Sequence, residues 1–597
     1  TSMRLILDLS PRARVTAWSV GFGLAAATAV ALGFALPGKG LMEVWFRGAA
    51  FFFIFASVVF WVLSLCRCRT EDVPLDQAAR GALREHVPAL LLALALVTAA
   101  TLASPPTFRI LTDEANLMGT ALGMYELHSP VKPDNATFFA DHFLDYSDGI
   151  DLRPLLFPFL VYVVHAITGY SAANGFVVNF LAGVAALFAL QLLLRRWFSP
   201  FWGLLGMLFL AACPLFVLYV TASGFEIVNL LFVILAFVTF DRFLVSRTAR
   251  DAEACLMTLV LLAQCRYESA MFLLAMGPAL VLLLAPEERA RLSWLTALFP
   301  LLLMPLAWQQ LLTYSPATHQ AALGQDVFSL ANFVRNVGQA VACFAGFRER
   351  FPAAAPLFYV ALLGLVLAAR DAVAARRPGP TRDMAQDTTR IWTHVTVAGR
   401  GYLLASGVLL SYHLGDLTLN TSMRFGVVYL PPLVLAAVYA VRRLNWTLEP
   451  TRRRVAVVLA VALMAYTWPL ATRNAAVTEL SAFRLYRASL RFLAEHYPGG
   501  NVLIISEYPQ LYLIHRRGAM TFGFLATHLP NILDNWKNHF VSDILVMQEV
   551  AYETGAAKPG TQLPPWLELE PLYLEQLDPK MLFRISRVKA PGPRPGE

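Results

Sequence analysis

The chain has 597 residues, 57% of them hydrophobic and 15% charged, with a formal net charge of +8. Soluble domains carry about 25% charged residues, so an ordinary water-soluble globular protein is excluded. Neither a nucleic-acid partner nor a cofactor is expected.

Apolar runs recur at 15–37, 44–65, 88–104, 175–194, 201–221, 225–240, 293–312, 355–369, 425–441 and 455–471. Runs near 20 residues match the hydrocarbon core of a bilayer. The fold class is therefore a polytopic α-helical membrane protein. The Thr1-Ser2 pair ahead of Met3 reads as an expression remnant. No cleaved signal peptide is expected, because the first apolar run is long and is followed by more of the same.

Basic residues cluster between the runs. They include Arg12 and Arg14, Arg67, Arg69, Arg80 and Arg84, Arg195 and Arg196, Arg242, Arg247 and Arg250, Arg289 and Arg291. Further along come Arg370, Arg376, Arg377 and Arg382, then Arg442, Arg443 and Arg452 to Arg454. The positive-inside rule places them in the cytoplasm. They share one side if 254–267 and 268–285 form a helical hairpin and another helix crosses near 397–413. This makes about 13 spans, with the N-terminus inside and the C-terminus outside. Segment 105–174 then faces outward. It holds three basic residues (Arg109, Lys132, Arg153) against eight acidic ones, which agrees with that side.

The six cysteines suggest no disulfide framework and no metal site, since Cys66 and Cys68 have no further Cys or His nearby. They read as small apolar packing residues.

The outer segment contains "TFRILTDEANLMGTALGMYE", residues 107–126. Thr112 can cap a helix beginning at Asp113, with Leu117, Ala121 and Met124 on one face. The expectation is a short helix lying on the membrane surface. Adjacent carboxylates at a helix start also complement the helix dipole. "DHFLDYSDGID" (141–151) reads as a solvated acidic loop, because its spacing does not match an EF-hand. No metal ligands are assigned. A second interfacial helix is expected at 153–169, opened by Arg153-Pro154; were it a span, Arg195 and Arg196 would land outside. Asn135 and Asn420 open glycosylation sequons, a pattern that arises easily by chance.

Beyond about residue 472 the composition becomes mixed enough to fold in water. Residues 482–500 read as an amphipathic helix ended by glycine. "NVLIIS" (501–506), "SDILVM" (542–547) and "MLFRISRV" (581–588) read as strands. The expected organisation is 1–87, a helix pair and cytoplasmic loop; 88–471, a transmembrane catalytic domain; and 472–597, an outer-face α/β domain.

Three further positions bear on chemistry. Glu226 sits at the mouth of an apolar helix, where an ionisable residue has a partner or a role. "AQCRYESAMF" (263–272) interrupts an apolar stretch with Arg266 and Glu268, either as an internal ion pair or as a basic turn facing a cavity. Arg424, in "NTSMRFGVVYLPPL" (420–433), is a positive charge on the outer side, which a phosphate partner would explain.

The order of these motifs resembles the GT-C class of membrane glycosyltransferases, closest to the protein O-mannosyltransferases and the aminoarabinose transferases of lipid A. The likeness covers about 88–310 well and 391–471 loosely. It implies an inverting transferase that takes a sugar from a polyprenyl-phosphate donor. The acceptor would be a glycolipid, polysaccharide or protein at the outer face of a bacterial inner membrane. It implies catalytic roles for Asp113, Glu114 and Glu226, with Asp113 as base. It implies substrate contacts for Arg266, Glu268, Arg424, Arg109 and Arg153, the arginines holding the departing phosphate. Membrane lipids are the surrounding partners. Alternatives from other classes are a transporter or flippase of lipid-linked saccharides, and a binding scaffold without catalysis. Against the transporter stands the absence of inverted repeats.

Overall fold

The computed structural model describes residues 10–35, 38–68, 75–139, 142–313, 326–346, 354–375, 382–419, 421–444, 450–477, 481–499, 501–576 and 579–589. Asp141, Asn420 and part of the 376–390 linker fall outside these residues. The chain divides into two compact units. One comprises Thr1–Thr107, Leu152–Phe157 and Phe176–Ala475; the other comprises Phe108–Asp151, Pro158–Gly175 and Ala476–Glu597.

The first unit is helical. Every expected apolar run falls on helix over most of its described length. By length and apolarity, eight helices among the described residues could cross a membrane, or nine if the pair Pro200–Ala211 and Pro214–Val220 counts as one span. That pair bends by 73°, with Pro214 opening its second half, where a missing N–H is tolerated. The other four expected spans lie in helices Ala249–Ala263, Ala270–Leu283, Ala355–Ala375 and Arg382–Ser411. None of these four is among the eight or nine. Large apolar side chains such as Leu24, Phe52, Leu102 and Leu403 are more than half exposed. A water-facing protein would bury such a surface, whereas hydrocarbon accepts it.

The second unit is built on one seven-stranded mixed sheet. Its strands are β1 (Lys132–Phe139), β2 (His142–Gly149), β3 (Val502–Ile505), β4 (Gly518–Met520), β5 (Asp543–Ala551), β6 (Leu569–Gln576) and β7 (Met581–Val588). Their order is β2-β1-β4-β3-β5-β7-β6. Strands β3 and β4, and β3 and β5, pair in parallel; the other neighbours are antiparallel. The helix Phe522–Lys537 covers the parallel strands. Its Phe522, Leu525, Leu529, Ile532 and Leu533 pack with Leu503, Ile505, Ile544 and Val546. At about 25 cal/mol per Å² of apolar surface, a cluster of this kind supplies the main stabilising term.

Three strands expected from the sequence are present as β3, β5 and β7. The outer segment departs from expectation. "DHFLDYSDGID" is not a solvated loop: its residues 142–149 form β2, which pairs with β1 and so brings the first outer segment into the C-terminal sheet. The helix in that segment begins at Leu111 rather than Asp113, and Ile110, not Thr112, is its cap residue. Residues Leu117 to Met124 are all buried, so the helix is packed on more than the one face expected from Leu117, Ala121 and Met124. The expected second interfacial helix runs over Leu156–Thr168, 13 residues, or about 20 Å, short of a bilayer core of about 30 Å.

His515 is half-buried in this unit, with its Nε2 2.6 Å from the Tyr486 hydroxyl. Burial, aided by the nearby Arg517 charge, pushes the imidazole down to about 4. Its unfolded value is about 6.5, so between these two values the unfolded chain binds more protons. Its contribution to stability is complete above about pH 6.5 and is lost as pH falls toward 4. Thermal unfolding of the second unit should therefore shift downward over that window. The shift should shrink in His515→Gln; an unchanged pH profile in that variant would remove His515 as the cause.

Candidate active site

Glu226, Arg266, Glu268 and Arg424 come together in the first unit. Glu226 is the first residue of the helix Glu226–Ser246 and is 3% exposed. The preceding turn is pinned by Asn179, whose Nδ2 donates to the carbonyls of Ala222 and Gly224, both at 2.8 Å. Gly224 leaves the room that the carboxylate occupies: a Cβ at that position would collide with Glu226 Oε2.

Arg424 lies in the 3₁₀ turn Met423–Tyr429, and Pro431 and Pro432 begin the helix that follows. Its Nη1 is 3.6 Å from Glu226 Oε1. That separation is an ion pair but too long for a hydrogen bond.

Arg266 and Glu268 occupy the tight turn between helices Ala249–Ala263 and Ala270–Leu283. They pair with each other, as the internal-pair reading expects. The turn is fastened by Gln264, which donates to Ser57 Oγ and the Leu302 carbonyl, and by Ser269, which donates to Asn229 Oδ1.

Two aromatic rings join the arginines. The Arg266 guanidinium lies 5.1 Å from the Phe225 ring centre and 4.6 Å from that of Phe425. The Arg424 guanidinium lies 5.9 and 5.2 Å from the same two rings. Both guanidiniums thus share one aromatic frame, which holds cations without consuming their N–H donors. The side chains are 7% and 13% exposed. Arg266 Nε is buried and has no hydrogen-bond partner among the described residues. A buried guanidinium donor left open calls for an acceptor. The sequence reading missed Phe225 and gave Phe425 no role. Their signal was adjacency: Phe225 precedes Glu226, and Phe425 follows Arg424.

Arg153 lies in the same unit and is half-buried. Its carbonyl accepts a bond from Gln309 Nε2, and Gln309 Oε1 accepts from the hydroxyl of Tyr267, the neighbour of Arg266. Gln309 is a second residue that the sequence did not reveal.

Asp113, Glu114 and Arg109 lie in the second unit. Glu114 is 2% exposed, and its Oε1 accepts the backbone N–H groups of Arg109 and Ile110 at 3.0 and 3.2 Å. These donors belong to the helix start, so Glu114 closes that end as a cap. The geometry gives it a structural job beside the catalytic one expected of it. Asp113, one residue earlier, is half-buried in the first turn. Arg109 is buried. The Asn135 side chain is also engaged and buried: its Oδ1 accepts from the backbone N–H and hydroxyl of Thr521, and its Nδ2, the atom a glycan would be attached to, donates to Ser147 Oγ. Among the described residues no group of three or more His, Cys, Asp or Glu side chains is placed to hold a metal ion.

A family model matches residues 152–308. The matching family is that of the dolichyl-phosphate-mannose-protein mannosyltransferases. The matched segment contains Arg153, Glu226, Arg266 and Glu268, and it agrees with the resemblance read from the motifs. No curated protein matches the chain. Among solved structures, the chain is similar to the oligosaccharyltransferase AglB from Archaeoglobus fulgidus in complex with an inhibitory peptide and a dolichol-phosphate. The identity is 12%, covering 78% of this chain and 70% of that one, with a TM-score of 0.42. It is also similar to ArnT from Cupriavidus metallidurans bound to undecaprenyl phosphate. There the identity is 13%, with 86% and 100% covered and a TM-score of 0.43.

Proposed function

We propose that this protein is an inverting glycosyltransferase that takes its sugar from a polyprenyl-phosphate carrier. The observation that carries the reading is the pair Arg266 and Arg424 on one aromatic frame, with the Arg266 Nε donor buried and unused among the described residues. Planar guanidiniums suit phosphate oxygens. The family match over residues 152–308 lends further support.

In the reaction, an acceptor hydroxyl oxygen forms a bond to the anomeric carbon while the bond from that carbon to the phosphate oxygen breaks. The electron pair leaves with the phosphate, where fixed positive charge stabilises it. The acceptor proton passes to a carboxylate. The resemblance assigns that role to Asp113, and the assignment is kept here. Glu226 and Glu268 balance the arginines while no phosphate is bound. One in-line displacement inverts the anomeric centre. Purified protein given a radiolabelled polyprenyl-phosphate mannose and a crude envelope acceptor should release polyprenyl phosphate and label the acceptor in equal amounts. Release without any transfer, or neither, would count against the proposal.

The orientation proposed is about 13 spans, with residues 472–597 on the outer, periplasmic face of a bacterial inner membrane. The basic clusters support it. A cysteine placed at exposed Thr554 should react with a membrane-impermeant maleimide in intact cells, and one at exposed Glu287 should not; the reverse pattern would invert the topology.

A further inference from the structure

Within the second unit, at the carboxyl ends of parallel strands β3 and β4, lies a cavity of about 490 Å³. That is inside the range of about 300–1,000 Å³ typical of small-ligand sites. Such sites are mostly apolar, but this lining is not. The helix Leu111–Leu127 contributes Thr112, Ala115 and Asn116, which share one helical face. Strand β1 contributes Lys132, Asp134 and Asn135, and the segment after β3 contributes Glu507, Tyr508 and Gln510.

The wall is held in place by its own bonds. Asn135 is 5% exposed; its Oδ1 accepts from the Thr521 backbone N–H and hydroxyl, and its Nδ2 donates to Ser147 Oγ. Gln510 is 8% exposed and donates to Asp134. By contrast, the Asn116 carboxamide and the Thr112 hydroxyl make no hydrogen bond among the described residues. The Tyr508 side chain is 41% exposed.

The charges narrow the ligand class. Among the described residues Lys132 is the one cation of the lining, and it lies 2.8 Å from Asp134. Glu507 is paired with Lys558 at 2.9 Å. No spare cation is left for a phosphate or carboxylate, and no spare carboxylate cluster for a metal. What remains is a rigid wall of amides and hydroxyls, with planar groups able to meet adjacent ligand hydroxyls in pairs, and an aromatic ring at hand. That chemistry fits a neutral sugar.

We propose that this cavity binds a neutral saccharide, and that this saccharide belongs to the acceptor. The second half rests on the glycosyltransferase reading above. The cavity uses the face of Thr112, Ala115 and Asn116 on the helix that also carries Asp113, which is turned about 100° from Thr112. Acceptor and proposed base are thereby carried by one helix.

The test uses the full-length protein in nanodiscs. The probes are methyl glycosides of glucose, galactose, mannose and N-acetylglucosamine, with glucuronate and a neutral Ser/Ala hexapeptide as competitors of other classes. Binding is read by saturation-transfer NMR and titration. At least one neutral glycoside should bind, at least tenfold more weakly in Asn116→Leu and in Tyr508→Ala but near normally in Tyr508→Phe. Binding of polyprenyl phosphate, measured on the same samples, should not change. No neutral glycoside binding, binding indifferent to both substitutions, or preference for glucuronate or peptide would each overturn the proposal. If the glycoside binds and responds to the substitutions but wild type takes up no polyprenyl phosphate, the donor reading fails while the saccharide site stands. If lipid phosphate binds through Arg266 and Arg424 but the glycoside result is negative, the saccharide inference alone fails.

Discussion

Asp113→Asn should lower sugar transfer by about 10²–10⁴-fold, the usual range for a lost general base, while the protein stays folded and binds donor normally. The substitution is nearly isosteric, so its effect reports charge and basicity. Asp113 sits in the first turn of the helix Leu111–Leu127. Its neighbour gives the control. Glu114 spends Oε1 on the N–H groups of Arg109 and Ile110, and an amide oxygen can accept those bonds as well. Glu114→Gln should therefore retain most activity. The two variants separate chemistry from capping. Near-normal transfer in a folded Asp113→Asn protein would return both acids to a structural role.

Removing either guanidinium should weaken use of the donor by roughly 1.5–3 kcal/mol, the scale of a hydrogen bond to a charged group, or about tenfold to a hundredfold or more in affinity. The choice of variant matters. Arg424→Ala strips the ion-pair partner from Glu226, which is 3% exposed, and an uncompensated buried charge typically costs about 3–5 kcal/mol of stability. Arg424→Ala is therefore combined with Glu226→Gln, and Arg266→Ala with Glu268→Gln. Arg→Lys at each site keeps the charge and loses the planar fork, so it should fall between wild type and the double variants. Unchanged donor affinity and turnover in folded double variants would withdraw these arginines from the site.

The membrane part of this fold was legible because its signal is local. A long apolar run forms helix and faces lipid whatever its neighbours do. Strands β3, β5 and β7 were legible for a similar reason, as short β-branched runs bounded by polar residues. The outer segment was not. In "HFLDYSDG" the alternation of a strand was present, with exposure itself alternating along β2, but four acidic residues nearby made it look like a solvated loop. Its place in the sheet depends on Ala136 meeting Ala519, a pairing with no local trace.

The site divided in the same way. Charged residues in apolar surroundings stood out, so Glu226, Arg266, Glu268 and Arg424 were singled out as candidates, and the fold brings these four together. Phe225 and Phe425 did not stand out, since aromatic residues are common in an apolar chain. Adjacent acids differ by one helical step of about 100°, which gives them different surroundings, and Glu114 spends its Oε1 on the N–H groups of Arg109 and Ile110. The helix start shifted to Leu111 because the backbone donors of Arg109 and Ile110 are closed from Glu114, not from Thr112.

The central claim is that Arg266 and Arg424 hold a lipid phosphate. The most direct measurement is an experimental structure of the full-length protein with a polyprenyl phosphate bound. The account predicts phosphate oxygens within about 2.7–3.2 Å of guanidinium nitrogens of both arginines, with the Arg266 Nε donor taken up. Phosphate bound elsewhere, with Arg266 and Arg424 still paired to Glu268 and Glu226, would contradict it.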